Sequence, residues 1–497
     1  YHLLFCVIGV VAGQLIGALP GIGSVSGVAL LVPLTFGMDP VAAVIMLTGI
    51  YYGCMYGATL SAVLIDIPGD SAAIMTGLDG HKMAMQGRGG QALFIAAVGS
   101  FVAGTFAIFM LTLFAPPLAR FGLRFGPPET AALMLLALTS LGWLTGESPA
   151  KGFLSALIGL FLAQIVVDSV SGRPRFIMGI IELMDGVSFL PVVIGMFGIA
   201  QVLLWLETRL TWTVRKTGLG LRAILPSAQE WAVSKWAIVR GSLVGFFVGL
   251  MPGAGATTAS FLAYTVERQS SGRPHMFGRG AIEGVAAPES ANNAAAIAAY
   301  VPLLSLGIPG SATAAVLMGA LMLWGLRPGP LLFRDSPEFV WGLIASMYVA
   351  NFLLLAINTL AIPPMVRVLA VPPPVLMAMV GVISIVGSYC IDNSVFDIWL
   401  ALVAGVLGFF MHKVQLPIPP LILALVLGRS LESAVRRSFM LSQGSVAIFF
   451  TRPISLALLV TTALFLGAPA IAAFVRRRRT SARQASDEEV VEVGDRG

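Results

Sequence analysis

The sequence predicts an all-α polytopic membrane protein of about 11–12 segments, on three observations. First, 57% of its 497 residues are hydrophobic and only 11% are charged, with a mean hydropathy of +0.91; a soluble globular chain carries about 25% charged residues. Second, apolar runs recur from end to end, each near the length of about 20 residues that a helix needs to cross hydrocarbon. Third, helix-breaking Pro-Gly motifs lie inside those runs and recur in matched pairs. The strand alternation of an outer-membrane barrel is absent.

The first apolar run, from Leu3, is cut by G17-A-L-P20-G21-I-G23, and the motif returns as G249-L-M-P252-G253-A-G255. From Gly17 to Gly249 the offset is 232 residues. The next run ends in D66-I-P68-G69, matched by G307-I-P309-G310; from Pro68 to Pro309 the offset is 241. Two halves follow: residues 1–206 and 236–474, joined by a basic linker over 207–235 and trailed by a charged tail, 475–497, expected to be disordered. Paired broken helices in duplicated halves are the sequence sign of a secondary transporter.

Each arm of the first hairpin is too short to cross. Leu3 to Ala18 rises about 24 Å at about 1.5 Å per residue, against about 30 Å of hydrocarbon. Both Pro-Gly hairpins are therefore expected to be re-entrant, with tips near mid-membrane. The basic residues set their direction. No Lys or Arg precedes Lys82; Lys82, Arg88, Lys151, the linker, Arg268 to Arg279 and Arg476 to Arg479 mark a cytoplasmic side. On that count the two hairpins enter from opposite faces, which makes an inverted repeat, and the C-terminus is cytoplasmic. Arg120, Arg124, Arg173, Arg175, Arg436 and Arg437 run against the count, and 412–446 reads as a short, re-entrant or amphipathic helix.

Proline removes an amide donor and glycine accepts strained dihedrals, and irregular backbone survives in a membrane only beside protein or a water-filled cavity. A helix restarting after such a break points free amides at the cavity. The expected anion site thus comprises Pro20, Gly21, Gly23 and Ser24 at the first tip, and Pro252, Gly253, Gly255, Thr257 and Thr258 at the second. The helix breaks add Pro68, Gly69, Pro309, Gly310 and Ser311. The 241-residue offset sets Tyr51 and Tyr52 opposite Asn292 and Asn293, which share a helical face with Glu289 and extend the site with amide and hydroxyl donors. Asp66, Asp70 and Glu289 are the coupling-ion candidates; Asp70 has an alternative role as a helix cap. Against the site stands a plain structural role: glycine seams between packed helices and interhelical hydrogen bonds.

Other chemistries find no support. The net charge of +6 is spread over short loops, which suits anchoring in a lipid bilayer and no nucleic acid. GIGS and GAGA lack the lysine of a phosphate-binding loop. No Ser/His/Asp set clusters, so the chain is read as no enzyme. Cys6, Cys54 and Cys390 are expected to be inert, and the four scattered histidines suggest no metal centre. Because the chain starts at Tyr1 inside an apolar run, preceding residues are expected.

The stretches GALPGIGSVSG, YYGCMYGATLSAVLIDIPGD, LDGHKMAMQGRGG, GLMPGAGATTASFLAY, GRGAIEGVAAPESANNAAA and LLSLGIPGSATAAVLMGAL resemble the large membrane subunit of bacterial tripartite tricarboxylate transporters, over nearly the whole chain to about residue 470. The resemblance implies an inner-membrane permease working with a small four-helix membrane subunit and a periplasmic solute-binding protein. It implies secondary uptake of carboxylates such as citrate, coupled to Na⁺ or H⁺ with no other cofactor, by an elevator-like movement. One position departs: Asp66-Ile67 stands where the family pattern suggests a neutral Asn-Thr-type pair. The rival readings are a standalone cation-coupled organic-anion antiporter or exporter on the same scaffold, and a purely structural membrane protein.

Overall fold

The computed structural model describes residues 1–144, 148–168, 171–208, 224–360 and 371–467. The expected tail, 475–497, and linker residues 209–223 lie outside them. The described residues are helical apart from loops and one two-stranded ribbon, Val166–Val167 with Pro174–Arg175. Eight helices among them are long and apolar enough to cross a membrane, and five shorter apolar helices of 10–17 residues accompany them. The protein is a multi-pass membrane protein.

Helix α1 (His2–Ala18) turns at Leu19–Ile22 into α2 (Gly23–Leu31). Asp39 caps α3 (Pro40–Ile65), accepting the Ala42 amide at 3.1 Å, with Pro40 in the first turn, where its missing donor costs nothing. Then come α4 (Ile74–Met85), α5 (Gly89–Gly122), α6 (Pro127–Leu144), α7 (Pro149–Ala163) and α8 (Phe189–Thr208). The second half runs α9 (Ala228–Gly249), α10 (Gly255–Ser270), α11 (Glu283–Ala298), α12 (Tyr300–Leu306), α13 (Ala312–Leu323), α14 (Pro337–Leu360), α15 (Pro373–Asp392), α16 (Val395–Lys413), α17 (Ile418–Leu441) and α18 (Pro453–Gly467). Segment 412–446 therefore holds a 24-residue helix, α17, long and apolar enough to span, rather than a short or re-entrant one.

Glycine seams hold each hairpin to its neighbour. Gly9, Gly13 and Gly17 of α1 press on the α3 backbone; Gly241, Gly245 and Gly249 of α9 press likewise on α11, at the offset of 232. A Cβ on Gly13 would stand 2.6 Å from Ile50 Cα, and one on Gly245 would stand 2.6 Å from Ala291 Cα. Dispersion between touching backbones drives such association in a bilayer, where apolar burial alone does not. The packing role of these glycines is therefore real and coexists with the helix breaks.

Both broken helices end in a left-handed residue, Asp66 at φ 59° and Gly307 at φ 70°. That conformation suits Asp66, because Asp, like Asn, is among the few non-glycine residues that tolerate it. After each break the chain restarts on a cap. Asp70 accepts the Ala72 amide at 2.9 Å, and Ser311, its counterpart at offset 241, accepts the Ala314 amide at 3.1 Å. Two arginines that run against the charge count are neutralised, since Arg175 pairs with Glu432 at 2.9 Å and Arg436 with Asp168 at 2.7 Å. Asn393, at φ 51°, forms the turn between α15 and α16.

Candidate functional site

The two tips have the same backbone. Gly21 and Gly23 take φ 78° and 69°; Gly253 and Gly255, 232 residues on, take φ 79° and 64°. Only glycine adopts these values without strain. Each tip is tied to the break of its own half: the Gly21 N–H donates to Pro68 O at 3.4 Å and the Gly253 N–H to Gly310 O at 3.0 Å. Ser140 of α6 donates to Pro252 O at 2.6 Å, bracing the second tip.

Both tips open on one cavity of about 940 Å³. It brings together Gly21, Gly23 and Ser24, Gly253, Gly255, Thr257 and Thr258, together with Tyr51, Pro68, Gly69, Asp70 and Ser311. Three hydroxyl pairs bridge the halves there: Ser24 with Thr313 at 3.0 Å, Ser71 with Thr257 at 2.8 Å, and Tyr51 with Ser311 at 3.4 Å. No Lys or Arg is among the described residues lining it.

Several expected site residues lie elsewhere. Pro20, Pro252, Pro309 and Gly310 shape the breaks without lining the cavity. Tyr52 stacks behind Tyr51 against Tyr300, ring centroids 6.3 Å apart, its buried hydroxyl without a partner. Asp66 is exposed at the end of α3. Glu289, Asn292 and Asn293 are buried between α3, α4, α5 and α11, bonded to one another and away from the cavity. Conversely, Ser71, Phe197, Gln201, Thr313, His412 and Gln415 line the cavity without having been singled out. Phe197 and Gln201 lie on α8 at and beyond the π-turn Gly195–Ile199, a kind of helix irregularity that gathers at functional sites. Gln201, an amide in an apolar helix, was a signal available in the sequence.

The two helix N-termini differ in what they meet. At α2, Asp70 Oδ2 accepts the Ser24 amide at 2.7 Å and the Ser24 hydroxyl at 2.8 Å, so a carboxylate of the protein itself occupies that positive end. At α10 the N-cap residue, Ala254, offers no side-chain acceptor, and the neutral Ser311 stands where Asp70 stands in the other half. Asp70 is thus a cap and a cavity residue at once. Asp70→Ala strips α2 of its acceptor and is expected to cost about 1–2 kcal/mol, read as a lowered melting temperature of the purified protein in detergent.

The chain matches the family model described as "Tripartite tricarboxylate transporter TctA family" over residues 3–423. It is 40% identical over 461 residues to an uncharacterised 52.8 kDa protein of the TAR-I ttuC' 3' region of Agrobacterium vitis, covering 92% of this chain and 91% of that one. A second Agrobacterium vitis protein, of the TAR-II ttuC' 3' region, is 42% identical over 215 residues, covering 43% of this chain and 89% of its own length. No solved structure matches. With the family pattern running through both tips and both breaks, the chain belongs to the tripartite tricarboxylate transporter TctA family, as a membrane transport component.

Proposed function

We propose that the protein is the permease subunit of a binding-protein-dependent secondary importer of carboxylates of the tricarboxylate class. The observation that supports this best is the cavity between the two tips, which offers hydroxyls and the N-terminus of α10 and, among the described residues that line it, no lysine or arginine. An organic anion must shed water to enter, and convergent dipoles and hydroxyls replace that hydration without a salt bridge that would hinder release. With Asp70 already on α2, a substrate carboxylate belongs at the α10 end, near Thr257 and Thr258. Substrate hydroxyls can donate to Asp70.

In this proposal a periplasmic solute-binding protein delivers the carboxylate, and a small four-helix subunit completes the membrane complex. Hairpins entering from opposite faces of the inner membrane carry the site, and a core bearing both moves against the remaining helices. A Na⁺ or H⁺ gradient drives accumulation. The test is uptake of labelled citrate into proteoliposomes containing the full chain and the two proposed partner subunits. Accumulation under an imposed Na⁺ or pH gradient is expected, together with its loss in Thr257→Val. Uptake that ignores both gradients, or that requires ATP, would sink the proposal; export against the gradient would favour a standalone antiporter.

A further inference from the structure

The buried acids among the described residues are of two kinds, those that pair with an arginine and those, Asp79, Glu289 and Asp397, that do not. Glu129, Glu267 and Glu283 each pair with an arginine, at 3.3, 2.7 and 2.8 Å. Glu289, 1% exposed, has no cationic partner among the described residues. Its carboxylate is caged by hydroxyls and amides from four helices. Oε2 accepts from Thr59 Oγ1 of α3 at 2.6 Å, Thr76 Oγ1 of α4 at 3.0 Å and Asn292 Nδ2 at 3.1 Å. Oε1 accepts from Ser100 Oγ of α5 at 3.1 Å and Asn293 Nδ2 at 3.4 Å.

An arginine would lock this carboxylate in its ionised form. Hydroxyls do not, because each can donate or accept. Ionised, Glu289 draws donors from all five neighbours; neutral, it has an O–H of its own, and one hydroxyl need only turn its lone pair inward to receive it. The same cage therefore serves both protonation states without moving a heavy atom far. An intramembrane carboxylate is expensive to keep, and proton relays are among the functions that such residues serve.

Several titratable groups on the elements around the cage have partners of their own. Tyr56 of α3 faces the polar centre but gives its hydroxyl to Asn351 at 3.1 Å. On α4, Asp79 is held by the Gly280 and Ala281 amides and by Tyr264 of α10, and His81 bonds to Val63 O at 3.0 Å. Arg240 of α9 is spent on Glu267 of α10, Tyr300 of α12 donates to Thr48 of α3, and Asp70, ahead of α4, holds Ser24. From Gly89 to Ala119, α5 has no titratable side chain.

We propose that Glu289, in its cage of Thr59, Thr76, Ser100 and Asn292, is the proton-carrying residue of the transport cycle. The inference rests on the proposed secondary transport. A proton from one side forms an O–H bond on the Glu289 carboxylate, and the same bond breaks to release it to the other side. The cage connects to the cavity along the chain: Thr76 lies on the segment that follows Ser71 and Thr59 on the helix that precedes Pro68, and both Ser71 and Pro68 line the site.

Two measurements test it. In infrared difference spectra of the full chain in lipid, taken across a pH step, wild type should show the carbonyl stretch of a protonated carboxylic acid. Glu289→Gln should lack that band, and Thr76→Ala, which removes one hydroxyl from Oε2, should shift it. An undiminished band in Glu289→Gln, or a band that Thr76→Ala leaves in place, overturns the proposal. In proteoliposomes, Glu289→Gln should lose citrate accumulation driven by a pH gradient while citrate still exchanges for citrate across the membrane. Accumulation that survives in the variant, or wild-type uptake that follows a Na⁺ gradient alone, also overturns it. If even wild type moves no citrate, the proposed function fails, and the infrared band still decides the role of Glu289.

Discussion

Gly13→Leu is expected to destroy the first hairpin. A Cβ at this position would already stand 2.6 Å from Ile50 Cα and 2.7 Å from Ile50 C, so the leucine meets main chain that cannot rotate away. Overpacking a yielding core costs about 1–3 kcal/mol; here α1 must leave α3, and the cost exceeds that range. Gly245→Leu should behave alike against Ala291 of α11, because its contact distances are the same to within a few tenths of an ångström. The check is size-exclusion and thermal melting of the variants in detergent, with Gly342→Ala on α14 as control. Nothing lies within 4 Å of a Cβ at Gly342, and alanine there should stabilise the helix by up to about 1 kcal/mol. A wild-type melting profile for Gly13→Leu would refute the backbone seam.

Gly69→Ala is expected to abolish citrate uptake by adding one methyl group. The new Cβ would overlap Gly17 O at the last turn of α1, lie 3.0 Å from Ala58 Cα, and push apart the break and the tip that Gly21 ties to Pro68. The matched substitution, Gly310→Ala, meets Ala299 Cα at 2.9 Å and Gly249 O at 3.0 Å, a milder conflict. Uptake should therefore fall in both variants and fall further at Gly69. Initial rates in proteoliposomes, normalised to folded protein, measure this. Equal loss at the two positions would mean that the halves are braced alike, contrary to these distances.

Much of the site was legible because its logic is local. A Pro-Gly break, a glycine that must take positive φ, and a hydroxyl one or two residues later are consecutive in the chain, and their echo at offsets 232 and 241 marked four breaks as two pairs. Glu289, Asn292 and Asn293 show where local logic stops. Their spacing puts them on one face of α11, but a helical face has no address until its neighbours are known. Those neighbours turned out to be Thr59, Thr76 and Ser100, drawn from three other helices, and not the cavity. Phe197, His412 and Gln415 came from the opposite failure, since nothing near them in sequence resembles a site, whereas Gln201 offered only a lone amide in an apolar helix.

By itself, the amino-acid sequence determined the membrane-embedded all-α class, the places where helices must stop, and the family, because hydropathy and backbone permission belong to each residue. The tertiary structure alone decided which breaks share a cavity and which helix N-terminus is already occupied by Asp70. It also decided which buried carboxylates go without an arginine. Those are properties of pairs distant in the chain, such as Ser24 with Asp70 or Thr59 with Glu289, and only packing brings their atoms within hydrogen-bond reach.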